Sequence, residues 1–201
     1  MNRFHWILLF LSTTEAYRSI GWMDRIVQPV CLDIGCGTGM SSHLLQQKNP
    51  EAVVIGIDHD EIVLRQGRQS FPHIGFYPMD AQDMRFDNEM FDLVQSHYVF
   101  SSMTPLMTQN TLHEIKRILR PKGVLQIMEY QKSFMQELFE TPDRLHHFPS
   151  LNPCFDGDWL MEEVQTHGFM MVRSEFTKTS YKTLFQKKKN VMDPRVFKYP
   201  L

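Results

Sequence analysis

The run Val30-Cys31-Leu32-Asp33-Ile34-Gly35-Cys36-Gly37-Thr38-Gly39 constrains this chain more than any other stretch. Its first residues read as a buried β-strand. Three glycines at alternate positions then strip the side chains from a loop, so that the backbone can turn sharply and touch a ligand. Met40, Leu44 and Leu45 continue as one apolar helical face until Asn49-Pro50 stops it.

The same alternation repeats downstream. Val53 to Ile57 reads as a second buried strand, with Asp60 placed to cap the helix after it. A third strand fits Ile74 to Met79, where Pro78 argues against a central position, and Phe91 to Gln95 makes a fourth. Leu112, Ile115, Ile118 and Leu119 share a helical face that stops at Arg120-Pro121-Lys122-Gly123, before Val124 to Met128 returns as a fifth strand. The segment from Tyr130 to Phe155 has little periodicity beyond a possible helix at Phe134 to Glu140. Asp158 is placed to cap a last helix through Trp159, Leu160 and Val164, with Gly168 just past its end. Phe169 to Phe176 and Tyr181 to Gln186 close the chain as two strands. Strands alternating with helices predict an α/β fold with a mostly parallel sheet covered on both faces.

At 201 residues the chain suits one domain over residues 1–201, with an N-terminal helical cap (1–27), a core (28–186) and a solvated tail (187–201) that begins with Lys187-Lys188-Lys189. A net charge of -2 offers no bulk attraction to a polyanion, so no nucleic-acid partner is expected. Cys31, Cys36 and Cys154 form neither a CxxC pair nor a zinc-spaced cluster, which predicts no metal and a reducing, cytoplasmic setting. The apolar stretch Phe4 to Leu11 is too short to span a bilayer. His5 and Trp6 interrupt it, so an amphipathic helix running on to Met23 is preferred over a short secretory signal.

Chemistry concentrates at the glycine loop. Its spacing is GxGxG; the dinucleotide fingerprint GxGxxG read from Gly35 would need a small residue where Met40 stands. Asp33 beside the loop suits a ligand carrying an ammonium group and would repel a pyrophosphate. Leu32 to Gly39 resembles motif I of the class I, Rossmann-like, S-adenosylmethionine (SAM)-dependent methyltransferases. Gly56-Ile57-Asp58, Asp80-Ala81-Gln82, Phe86 to Val94 and Leu119 to Leu125 resemble that family's later motifs in the expected order.

This resemblance implies a three-layer, Rossmann-like sheet of about seven strands, the last antiparallel, with SAM across the C-terminal ends of the first strands. It implies that Asp33 and the backbone of Gly35 and Gly37 face the methionine part, with Cys36, Thr38 and Gly39 in the same cofactor-binding loop, Asp58 the ribose, and Asp80 with Ala81 the adenine. His59 stands where the family commonly has an aliphatic residue, and its ring could stack on the adenine in that residue's place. Ser96 and His97 would lie near the transferring methyl, with His97 the candidate base. Each carboxylate also has a structural reading, as a strand-end or helix-capping acid.

The expected activity is methyl transfer to a small-molecule acceptor by in-line displacement. Gln95-Ser96-His97-Tyr98 lacks the Asn/Asp-Pro-Pro-aromatic motif associated with base methylation, and no double-glutamate hairpin of the protein-arginine type is evident. Two alternatives stay open: a SAM-binding partner without catalysis and, further off, an NAD-dependent oxidoreductase.

Overall fold

The computed structural model describes residues 26–140 and 150–188. The expected N-terminal helix, residues 141–149 of the long connection and residues 189–201 of the tail lie outside them. Val30–Ile34 forms β1, a central strand because it pairs in parallel with β2 (Val53–Asp58) on one side and β4 (Phe91–His97) on the other. Beyond β2 lies the edge strand β3 (Gly75–Pro78), which needs no ladder partner past Pro78. Beyond β4 come β5 (Leu119–Tyr130), then β7 (Ser180–Lys187) and, at the far edge, β6 (Phe169–Phe176). The seven-stranded order is β3-β2-β1-β4-β5-β7-β6, with β7 antiparallel to both neighbours.

Helices cover both faces. Cys31, Val54 and Leu93 meet Leu45 of α1 (Met40–Lys48) and Leu64 of α2 (Glu61–Ser70) in one core. Leu32, Ile57, Val94, Leu125 and Ile127 form the opposite core with α3 (Pro105–Ile118) and α5 (Gly157–Thr166). On α3 the buried face is Leu112, Ile115 and Ile118, each fully out of water and each contributing about 1.5–3 kcal/mol. Thr104 caps that helix and Pro105 opens it. The loose segment does contain a helix, α4, over Lys132–Phe139.

Three boundaries differ from expectation, each for a tertiary reason. Asp156, not Asp158, caps α5: its Oδ1 accepts from Asp158 N at 2.9 Å and Trp159 N at 3.3 Å. The helix starts early because Gly157 has no Cβ to obstruct the Tyr181 ring, whose atoms lie 3.0 Å from where a Cβ would stand. The fifth strand begins at Leu119, opposite Phe91, so Leu119 belongs to the sheet and not to α3. Arg120 Nη1, 2.6 Å from Asp92 Oδ2, anchors this start, and Pro121-Lys122-Gly123 loops out before pairing resumes at Val124. Lys187 is not part of a solvated tail. It ends β7, is 6% exposed, and its ammonium donates to Leu119 O at 2.5 Å.

Candidate active site

The C-terminal ends of β1, β2 and β4 converge on the glycine loop, because a parallel sheet brings all its strand ends to one edge. Gly35, Gly37 and Gly39 all have positive φ (64°, 54° and 85°). Two of them need glycine for different reasons. A Cβ on Gly39 would stand 2.4 Å from the Phe76 ring, so this residue serves packing. A Cβ on Gly37 would meet nothing within 4 Å, so the bare backbone there faces open space, which suits close approach of a ligand.

Two carboxylates flank the loop. Asp58, at the end of β2, accepts from Gly37 N through Oδ2 at 2.9 Å and from Asp60 N through Oδ1 at 3.0 Å. It therefore clamps the loop while each oxygen keeps a further lone pair. Asp33, on β1, is 1% exposed, and its Oδ2 accepts the hydroxyls of Ser41 and Ser42 at 2.5 and 2.6 Å. Burial pushes its carboxyl up to about 6, while Ser41, Ser42 and Gln95 hold it down and Asp58 adds repulsion. Gln95 lies alongside without completing a hydrogen bond, so Asp33 Oδ1 has no partner among the described residues. A buried carboxylate with one oxygen to spare next to bare loop backbone can receive a cationic group.

The other loop residues divide between core and surface. Cys36 is buried beneath Gly56, where a Cβ would stand 2.8 Å from its sulfur; burial first, then Asp33 and Asp58, push the thiol far above the ordinary cysteine range. It fills space and is not a nucleophile. Thr38 is exposed, and its backbone carbonyl lies close to Gly67 of α2. Beyond β2, the His59 side chain is 91% exposed, with Nδ1 3.4 Å from Asp58. Asp80 is exposed in an Asx turn to Gln82 N at 2.8 Å, and Ala81 packs half-buried against the core.

On β4 the structure separates Ser96 from His97. Ser96 is fully buried between Ile34 and Ile127, its Oγ without a partner among the described residues. His97 points to the opposite face, where its Nε2 sits 2.9 Å from Gln126 Nε2 and so accepts a hydrogen bond. The residue as a whole is only partly buried, but its Nδ1 is shut off from solvent. Burial, reinforced by Lys182 and Lys48, drives the imidazole down to about 3. An imidazole that releases its proton so readily is a poor base, and the setting is that of a sheet-face hydrogen-bond acceptor. Ser41, Ser42 and Gln95 escape sequence reasoning, because serines in a first helical turn and a glutamine inside a strand carry no motif of their own.

A seven-stranded sheet of this order, with a GxGxG loop between carboxylates at its C-terminal edge, defines a three-layer, Rossmann-like α/β fold. Residues 31–123 match the family described as Methyltransferase domain. The chain is 27% identical over 165 residues to the trans-aconitate 2-methyltransferase of Azoarcus sp., covering 75% of this chain and 60% of that one. It is 32% identical over 104 residues to the enzyme of the same name from Yersinia pseudotuberculosis, covering 47% of this chain and 36% of that one. The chain thus spans less than two thirds of these relatives. The same fold occurs in a Pyrococcus horikoshii protein (TM-score 0.70, 21% identity, 89% and 91% covered). It occurs also in a SAM-dependent methyltransferase from Methanosarcina mazei (TM-score 0.68, 19% identity, 82% and 94% covered).

Proposed function

We propose that this protein transfers a methyl group from SAM to a small-molecule acceptor. The observation that carries this reading is the open backbone at Gly37, held between the Asp33 and Asp58 carboxylates. Asp33, with the backbone of Gly35 and Gly37, would hold the methionine portion. Asp58 would grip the ribose diol with its remaining lone pairs, and Asp80, Ala81 and the exposed His59 ring would border the adenine. When bound, SAM supplies a methyl carbon already attached to a good leaving group. The task of the chain is then to align the acceptor and exclude water.

A small-molecule acceptor fits the trans-aconitate 2-methyltransferase relatives and the net charge of -2. No described helix is long and apolar enough to cross a membrane. The unpaired cysteines are consistent with a cytoplasmic protein working as one domain. Calorimetric titration with SAM, S-adenosylhomocysteine and NADH, followed by methyl-labelled SAM with a panel of small acids, phenols and amines, tests the proposal. Tight NADH binding without SAM binding would overturn it. SAM binding with transfer to no acceptor would favour a non-catalytic SAM-binding partner.

A further inference from the structure

At the same edge of the sheet, the ends of β4 and β5 carry a second polar cluster that the SAM contacts above do not use. Glu129, on β5, is fully buried. Its Oε1 accepts Ser101 N at 3.3 Å, while Oε2 has no hydrogen-bond partner among the described residues. Ser101 Oγ and Tyr181 Oη are buried in the same condition. Tyr181 is the cross-strand partner of Glu129 on β7, and the Ser101 hydroxyl lies against the carboxylate without completing a bond. Three such groups left unmade together are costly unless a ligand satisfies them.

The surroundings narrow what that ligand is. Tyr98, just past β4, holds a left-handed backbone (φ 60°), a strained conformation for a bulky residue. Its ring lies 4.4 Å from that of Tyr130, which lies 5.4 Å from that of Phe134, an aromatic row at the C-terminal end of β5. Among the described residues the charged groups reaching the cluster are acidic: Glu129 itself, with Asp156 and Asp158 acting on Tyr181. Lys132, the nearby cation, is engaged by Asp156 at 3.2 Å. Such a site repels a polycarboxylate and welcomes a hydrogen-bond donor on a ring.

Building on the methyltransferase reading, we propose that Glu129, Ser101 and Tyr181 form the acceptor subsite for a phenol or ring-bearing amine, with Glu129 taking its hydrogen. The acceptor's oxygen or nitrogen forms the new bond to the methyl carbon with its lone pair, and its proton passes to Glu129 Oε2. The pair of the broken carbon–sulfur bond stays with sulfur. Burial, offset in part by Ser101 and by the backbone N–H groups of Ser101, Phe100 and Tyr130, pushes the Glu129 carboxyl up to about 7, and Tyr98, Tyr130 and Tyr181 face it as neutral phenols. A carboxyl of that strength is matched to proton abstraction near neutral pH.

The test titrates protein saturated with S-adenosylhomocysteine with phenol, benzylamine and trans-aconitate. Wild type is expected to bind phenol or benzylamine and not trans-aconitate. Glu129→Gln should bind the ring compound at least tenfold more weakly, with S-adenosylhomocysteine affinity within twofold. Methyl transfer from SAM to that compound should rise with pH through about 7 in wild type, and the variant should lose this limb with about a hundredfold or more in rate. Preferred binding of trans-aconitate, binding of neither ring compound, or an unchanged pH profile in Glu129→Gln overturns the subsite alone. Failure of wild type to bind S-adenosylhomocysteine overturns the methyltransferase reading and the subsite with it.

Discussion

Asp58 Oδ2 accepts the Gly37 N–H at 2.9 Å, so the acid at the end of β2 fixes the conformation of the loop after β1, 21 residues away in sequence. One side chain thus shapes the glycine loop and presents a carboxylate next to it. Loop shape and ligand affinity are coupled through it.

Replacing Asp58 with alanine removes that clamp and a charge-assisted acceptor. SAM binding should weaken by about 1–3 kcal/mol, roughly 5- to 150-fold. Calorimetry on the folded variant checks this, and an unchanged dissociation constant would remove Asp58 from the ribose contact.

Gly37→Ala and Gly39→Ala should fail differently. Both carry the left-handed backbone penalty of about 1–2 kcal/mol. At Gly39 the new Cβ also strikes the Phe76 ring, adding an overpacking cost of about 1–3 kcal/mol, so urea unfolding should show the larger loss there. At Gly37 the Cβ enters open space, so stability should fall less while SAM affinity falls more. Equal stability losses would contradict the division between packing and ligand-facing glycines.

Asp33 predicts a pH dependence. Burial raises its carboxyl from 3.8 to about 6, so the folded state binds the proton more tightly than the unfolded chain does. Its contribution is fully present below pH about 4 and is lost as pH rises through about 6, amounting to about 3 kcal/mol across that window. Asp33→Asn keeps an acceptor for the Ser41 and Ser42 hydroxyls without a buried charge. It should unfold at higher urea than wild type at pH 8, with a smaller difference at pH 4, yet bind SAM more weakly. A parallel pH dependence in variant and wild type would refute this assignment.

The α5 cap separates Asp156 from Asp158. Asp156→Ala should cost about 1 kcal/mol, the usual effect of losing a capping carboxylate, whereas Asp158→Ala should change stability little. Thermal unfolding of the two variants is sufficient to tell them apart, and the reverse ranking would place the cap at Asp158.

Much of the fold was legible because its signals are local. Apolar runs and one-faced helices mark the strands, α1 and α3, and the GxGxG spacing with Asp33 and Asp58 marks the cofactor end. Other features rest on contacts between distant residues. Asp156 caps α5 because Gly157 admits Tyr181, and Leu119 joins the sheet because Phe91 and Asp92 receive it and Arg120. His97 shows the gap most clearly. Its position at the end of β4 suggests a base, but the neighbouring strand supplies Gln126, and burial, reinforced by Lys182 and Lys48, makes protonation unfavourable.

By itself, then, the sequence determined the order of strands and helices, the glycine loop and the carboxylates beside it. All of these follow from periodicity and residue type over a few positions. Only the tertiary structure decided which oxygens are occupied and which are left over: Asp58 turned toward Gly37, Asp33 and Glu129 each with one bare oxygen, and His97 folded onto the sheet face. The physical reason is that hydrogen-bond satisfaction and desolvation depend on what the fold brings within 3 Å, and those partners lie tens of residues away along the chain.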